Sequence, residues 1–132
     1  MVFVKNPVLG KVKTRLAKSL GDEKALGIYK IMLRYTRIIA MDVDCDKAVF
    51  YSDFVEAGDK WSEAGFAQQE QKGDDLGERM LNAFKYAFPL QYRNVVIIGS
   101  DCLELNDEII ADAFDYLEKH EIVLGSAKDG GY

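Results

Sequence analysis

The chain has 132 residues, a formal net charge of −5, 48% hydrophobic residues and only two prolines. That length suits one domain, 1–132, able to bury a core, and the composition excludes a disordered polymer. The acidic balance excludes sequence-independent binding to nucleic acid, which rests on basic contacts to phosphate.

Strand-like and helix-like segments alternate with short connections, the pattern of an α/β fold. Val2 to Val4 is a stub of apolar strand that runs into the breaker-rich loop Asn6-Pro7-Val8-Leu9-Gly10. A short helix follows over Thr14 to Leu20. Asp22 to Ala40 is predicted as a long helix, because Ala25, Ile28, Tyr29, Met32, Tyr35, Thr36 and Ile39 keep a spacing of three to four, with Asp22 as its N-cap. Lys47 to Tyr51 and Phe66 to Gln69 read as the next strands. Leu76 to Phe88 reads as a helix with Leu76, Met80, Leu81, Phe84 and Phe88 on one face. The run Asn94 to Gly99 is β-branched throughout its middle, which predicts a central strand of a parallel sheet, buried on both faces. Asn106 is placed to cap a helix ending at Leu117, and Ile122 to Leu124 is expected to be a further buried strand.

No apolar run approaches the roughly 20 residues of a membrane span. Met1 to Lys5 lacks the basic head and long apolar stretch of a secretion signal. Cys45 and Cys102 lack metal-type spacing and read as reduced thiols, so a cytoplasmic location is expected.

Ligands of doubly wound sheets sit beyond the carboxyl ends of the strands, and that rule filters the candidate residues. The loop after the first strand carries Lys5, Lys11, Lys13 and Arg15, a density of cations that suits a diphosphate or triphosphate. Gly10 lets backbone approach a ligand, and free amides at the start of the following helix favour an anion. The competing reading is a solvated lysine-rich turn. Gly10-Lys11-Val12-Lys13-Thr14 is not a Walker motif, because Lys5 stands where its first glycine belongs.

Asp101 directly follows the buried run, where a carboxylate can hold a divalent ion against phosphate oxygens. The alternative is a cap or turn residue, a task that Asn106 already fills for the next helix. Asp42, Asp44 and Asp46 imitate the start of a calcium loop, but Lys47 replaces the turn glycine and the trio precedes its strand. They are expected at the amino edge, as a solvated loop. Gln71 to Met80 joins a strand to a helix at the productive edge, where Gln71 and Gly73 could frame a base or sugar. A plain glycine turn capped by Asp75 is the alternative. Asp129-Gly130-Gly131-Tyr132 offers a carboxylate where backbone must come close to a ligand. His120 is the only histidine, and zinc or triad chemistry has little support. Trp61 is expected in the core.

The order of these segments resembles a bacterial transferase family found beside radical-SAM proteins, within the nucleotide-diphospho-sugar transferase superfamily of GT-A fold. The stretches that carry the resemblance are Phe3 to Leu16, Gln71 to Met80, Gly99-Ser100-Asp101-Cys102 and Leu124 to Tyr132. Lys13-Thr14-Arg15-Leu16 is also similar to the phosphate loop of 2-phospholactate guanylyltransferases, and more distantly to that of molybdenum-cofactor nucleotidyltransferases. Leu103 departs from the family, which has Pro after Asp-Cys.

The resemblance implies a Rossmann-like three-layer α/β/α fold with a mixed, mainly parallel sheet. It implies a nucleotide or nucleotide-sugar, a small-molecule acceptor, and Mg2+ or Mn2+. Pro7, Gly10, Lys11, Lys13, Arg15, Gln71, Gly73, Gly130 and Gly131 become the expected nucleotide contacts. Arg15, Asp101 and Asp129 become the expected catalytic residues, with Asp101 and Asp129 on the metal. Glycosyl transfer, nucleotidyl transfer and a catalytically silent nucleotide-binding module all remain open. Family members continue past Tyr132, so the domain is expected to be incomplete at its C-terminus. Its last strand would then lack cover and promote a homo-oligomer.

Overall fold

Short apolar runs stopped by turn residues give short strands, and in each strand alternate side chains face opposite sides of the sheet. A computed structural model of the chain describes residues 1–125. The strands β1 (Val2–Val4), β2 (Ala48–Tyr51), β3 (Ala67–Glu70) and β4 (Ile98–Gly99) form one sheet in the order β3-β2-β1-β4. Neighbours pair in parallel throughout, with Val2 opposite both Val49 and Ile98. All four carboxyl ends therefore lie along one edge.

Among the described residues five helices flank this sheet: α1 (Thr14–Leu20), α2 (Asp22–Asp42), α3 (Lys60–Glu63), α4 (Leu76–Ala87) and α5 (Asp107–Leu117). Val2, Val4, Val49 and Tyr51 face one way and meet Tyr29, Leu33 and Ala40 of α2, together with Trp61 and Phe66. Phe3 and Phe50 face the other way, stack at 5.4 Å between centroids, and pack on Ala83 of α4. Strand alternation thus creates two cores and three layers, α/β/α. Each fully buried large side chain contributes about 1.5–3 kcal/mol. A third cluster, Ile39, Val43 and Ile110, fixes α5 against α2. Asn106 caps α5 by accepting from the Ile109 amide at 2.8 Å, and Asp75 caps α4 by accepting from that of Glu78 at 2.8 Å.

Four sequence expectations are corrected. Asn94 to Gly99 supplies only Ile98–Gly99 as strand, and β4 lies at the edge of the described sheet rather than its centre. Propensity does not lengthen a strand beyond its partner, and β1 offers β4 only two pairs. Ile122 to Leu124 forms no strand, pairs with nothing among the described residues, and leaves Ile122 77% and Leu124 71% exposed. Gly21, not Asp22, is the N-cap of α2, and Asp22 begins the first turn, where its charge favours the helix dipole. The inner face of α4 is Met80, Ala83 and Ala87, while Leu76, Leu81 and Phe88 are exposed. Close approach of helix to sheet selects the small residues. Among the described strands every pairing is parallel, in keeping with the mainly parallel α/β/α sheet expected.

Candidate functional site

The polar ends of the strands are built from the loop after β1. Asn6, only 2% exposed, turns its amide onto the loop after β2. Its Nδ2 donates to the Phe54 carbonyl at 2.8 Å, and its Oδ1 accepts from the Asp53 amide at 3.0 Å. Val12 drops into the core, so the loop is anchored at both of its ends. Between these anchors Gly10 has φ +75°, a left-handed conformation that an L side chain resists. Pro7 is half-buried beside Asn6, and Lys11 is exposed.

Lys13 also has a left-handed backbone, φ 47° and ψ 42°, as the residue preceding α1. For a residue other than glycine this conformation costs roughly 1–2 kcal/mol. Its ammonium reaches Asp101, Nζ to Oδ2, at 3.1 Å. The pair joins the loop after β1 to the residue that follows β4 and its Ser100. Asp101 is 65% exposed along its side chain and Lys13 25%. A pair so exposed contributes at most about 1 kcal/mol to stability. Arg15 stands exposed in the first turn of α1. With seven residues, α1 has too little dipole to hold an anion by itself.

Beneath the pair lies a residue that sequence reasoning assigned only to the helix face. The hydroxyl of Tyr29, on α2, accepts the Lys5 amide at 2.9 Å, faces the Lys5 carbonyl at 3.1 Å and meets Ser100 Oγ at 3.1 Å. It ties the end of β1 to the residue before Asp101. Burial raises its phenol pKa above the ordinary value; the hydrogen bonds to Ser100 and Lys5 oppose this, and the Asp101 charge reinforces it. A tyrosine in an apolar stripe carries no sign in the sequence that its hydroxyl has partners across the fold. Asn6 was similarly visible only as a breaker.

Gln71 is at the same edge, with its Nε2 donating to the carbonyls of Val4 at 3.1 Å and Phe50 at 2.8 Å. Its amide hydrogens are thus held by the ends of β1 and β2. Gly73 has φ +141°, and a Cβ there would lie 2.8 Å from the Arg79 nitrogen. Arg79 closes this turn by donating from Nε to the Gly73 carbonyl at 3.0 Å. Asp129, Gly130 and Gly131 lie outside the described residues.

The structure therefore gathers Lys13, Asp101, Gln71 and the Gly10 loop at one edge, and leaves the aspartate trio elsewhere. Asp46 accepts from Tyr92 at 2.8 Å at the amino ends of the strands. Among the described residues no three His, Cys, Asp or Glu side chains gather as a metal cluster. Among the described residues Asp101 stands outside any such cluster, and its hard oxygen donors fit a cation that takes one or two carboxylates and completes its shell with phosphate oxygens and water. Cys45 and Cys102 are both free, and among the described residues no helix is long and apolar enough to cross a membrane.

A protein family described as "Uncharacterized protein conserved in bacteria (DUF2064)" matches residues 34–132. A crystal structure of a "putative nucleotide-diphospho-sugar transferase" from Desulfovibrio desulfuricans G20 is similar, with a TM-score of 0.79 and 31% sequence identity. The match covers 89% of this chain and 53% of that one, so the chain spans about half the length of that protein. No curated protein matches the chain.

Proposed function

The chain belongs to the DUF2064 family of bacterial proteins, and from that premise we propose that it binds the nucleotide donor of a metal-dependent transferase. The first reading is glycosyl transfer from a nucleotide-sugar to a small-molecule acceptor, in line with the transferase description given to the similar structure. One observation carries it: a cation of the β1 loop and a carboxylate after β4 stand 3.1 Å apart beyond the carboxyl ends of parallel strands. That is where such sheets take their ligands.

In this reading Lys11, Lys13 and Arg15 neutralise the donor phosphates. Asp101, with Asp129, holds Mg2+ or Mn2+. When bound, such a cation offsets charge on the donor phosphates and the leaving group. Gly10 and Pro7 shape the loop, and Gly130 and Gly131 admit backbone close to the ligand. Gln71 and Gly73 set the turn that faces base or sugar. Positioning and charge stabilisation supply most of the catalysis.

Nucleotidyl transfer is the second reading, favoured by the three cations of Lys11, Lys13 and Arg15, since a triphosphate carries more charge. A thermal-shift panel of nucleoside triphosphates and nucleotide-sugars with Mg2+ or Mn2+, on the full-length protein, tests both. A nucleotide-sugar that raises the melting temperature only with metal, and is turned over to nucleoside diphosphate, supports the first. Triphosphate-specific stabilisation with pyrophosphate release supports the second. No metal-dependent shift with any nucleotide sinks both.

A further inference from the structure

We infer that Lys13 and a divalent cation compete for the carboxylate of Asp101, so that phosphate opens the site to metal by drawing Lys13 away. The inference deepens the proposed function and rests on its reading of Asp101 as a metal ligand. Three observations carry it. The Lys13 ammonium sits 3.1 Å from Asp101 Oδ2, so an incoming cation meets a carboxylate already neutralised and a like charge beside it. The two partners differ in freedom. Asp101 follows Ser100, which is buried and held through the Tyr29 hydroxyl to Lys5. Lys13 reaches it on a flexible four-carbon stem. The movable member of the pair is the lysine. Finally, the loop holds Lys13 in a left-handed backbone conformation, shared among the described non-glycine residues only by Gln91. The strain falls on the residue whose side chain makes the contact.

A phosphate group offers this ammonium several anionic oxygens in place of one, and the stronger charge-assisted contacts favour transfer. Once Lys13 leaves, Asp101 regains its full charge beside a second anion. Phosphate and metal are then coupled positively, and by linkage each tightens the other to the same degree. Lys13 becomes more than a phosphate contact: it discourages the cation from binding by itself.

The test is Mn2+ binding to the full-length protein, read from the free-ion electron paramagnetic resonance signal without any turnover. Wild type is compared with Lys13→Met, Lys13→Gly and Asp101→Asn. Glycine adopts the left-handed backbone freely, so it guards against misfolding of the methionine variant. Both Lys13 variants should bind Mn2+ about two- to fivefold more tightly than wild type, the range expected for removing an exposed pair. Added pyrophosphate, with a protein-free blank subtracting its own Mn2+ complex, should tighten wild type more than either variant. Unchanged or weaker Mn2+ binding by both Lys13 variants, with loss in Asp101→Asn, overturns the competition and leaves the metal reading standing. Equal gains from pyrophosphate in wild type and variants overturn the coupling. Wild-type affinity in Asp101→Asn, or no Mn2+ binding by any form, overturns the metal reading itself.

Discussion

At the carboxyl ends of β1 and β4, charged side chains meet solvent on a hydrogen-bonded frame, whereas at the amino ends apolar side chains surround a cavity of about 120 Å3. Met1, Val43, Phe66, Tyr86, Ile110 and Phe114 are among those that line it. The same strands run into both ends, and their alternation feeds a core on each face of the sheet. The difference lies in the loops. Beyond the carboxyl ends, Asn6, Gln71 and Tyr29 each spend polar atoms on backbone of a neighbouring segment. The amino end has carboxylates too, but among the described residues Asp46 accepts only from the exposed hydroxyl of Tyr92. Acidic residues become candidates for chemistry through the frame behind them.

The sharpest way to break this comparison is to neutralise carboxylates at each end. Asp101→Asn should abolish metal-dependent nucleotide binding, measured by calorimetry, while changing Asp42, Asp44 and Asp46 together to Asn should leave it nearly unchanged. Loss with the trio and retention with Asp101→Asn would reverse the assignment.

Gly73→Ala comes next. Its left-handed φ and the Arg79 nitrogen 2.8 Å from the added carbon should lower stability by about 2–3 kcal/mol, seen by urea unfolding. Asn6→Ala removes the bonds to Asp53 and Phe54 that its buried side chain makes, and should lower stability by about 1–2 kcal/mol. Tyr92→Phe, its counterpart at the amino end, should change stability by less than about 0.5 kcal/mol.

Tyr29→Phe should cost about 1 kcal/mol at neutral pH. Its signature is the pH dependence. The folded state holds the Tyr29 phenol above its ordinary value of 10, so the unfolded chain loses that proton first. Its stabilising contribution is therefore complete below pH 10 and is lost as pH rises through the folded pKa. Melting temperatures between pH 8 and 11 should fall less in Tyr29→Phe than in wild type. Some slope should persist, because Tyr51 is also raised, by burial and by its bond to Asp59.

Much of this fold was legible where local chemistry decides the outcome. Thr14–Leu20 and the Asn106 cap were read correctly because caps and breakers act within a few residues. The Asn94 to Gly99 run misled because strand length depends on what β1 offers across the gap. On α4 the bulky residues drew attention, yet nearness to Phe3 and Phe50 selects Ala83. At the candidate site, the edge rule brought Lys13 and Asp101 together from sequence alone. Tyr29 and Asn6 stayed hidden, since their partners lie far along the chain: Ser100 for one, Asp53 and Phe54 for the other.

The hydroxyl of Tyr29 holds one hydrogen and faces two oxygens at 3.1 Å, the Lys5 carbonyl and the Ser100 hydroxyl. If it donates to the carbonyl, Ser100 must turn its own hydrogen toward Tyr29. If it donates to Ser100, that serine hydrogen is released to point elsewhere. One set of heavy atoms thus holds two opposed dipole arrangements, exchanged by spinning two O–H rotors. No backbone moves and no packing is lost. Such a pair acts as a small piece of orientable solvent sealed inside the protein. It can turn its polarity to follow whatever charge appears at Asp101, while the strand ends that carry it stay fixed.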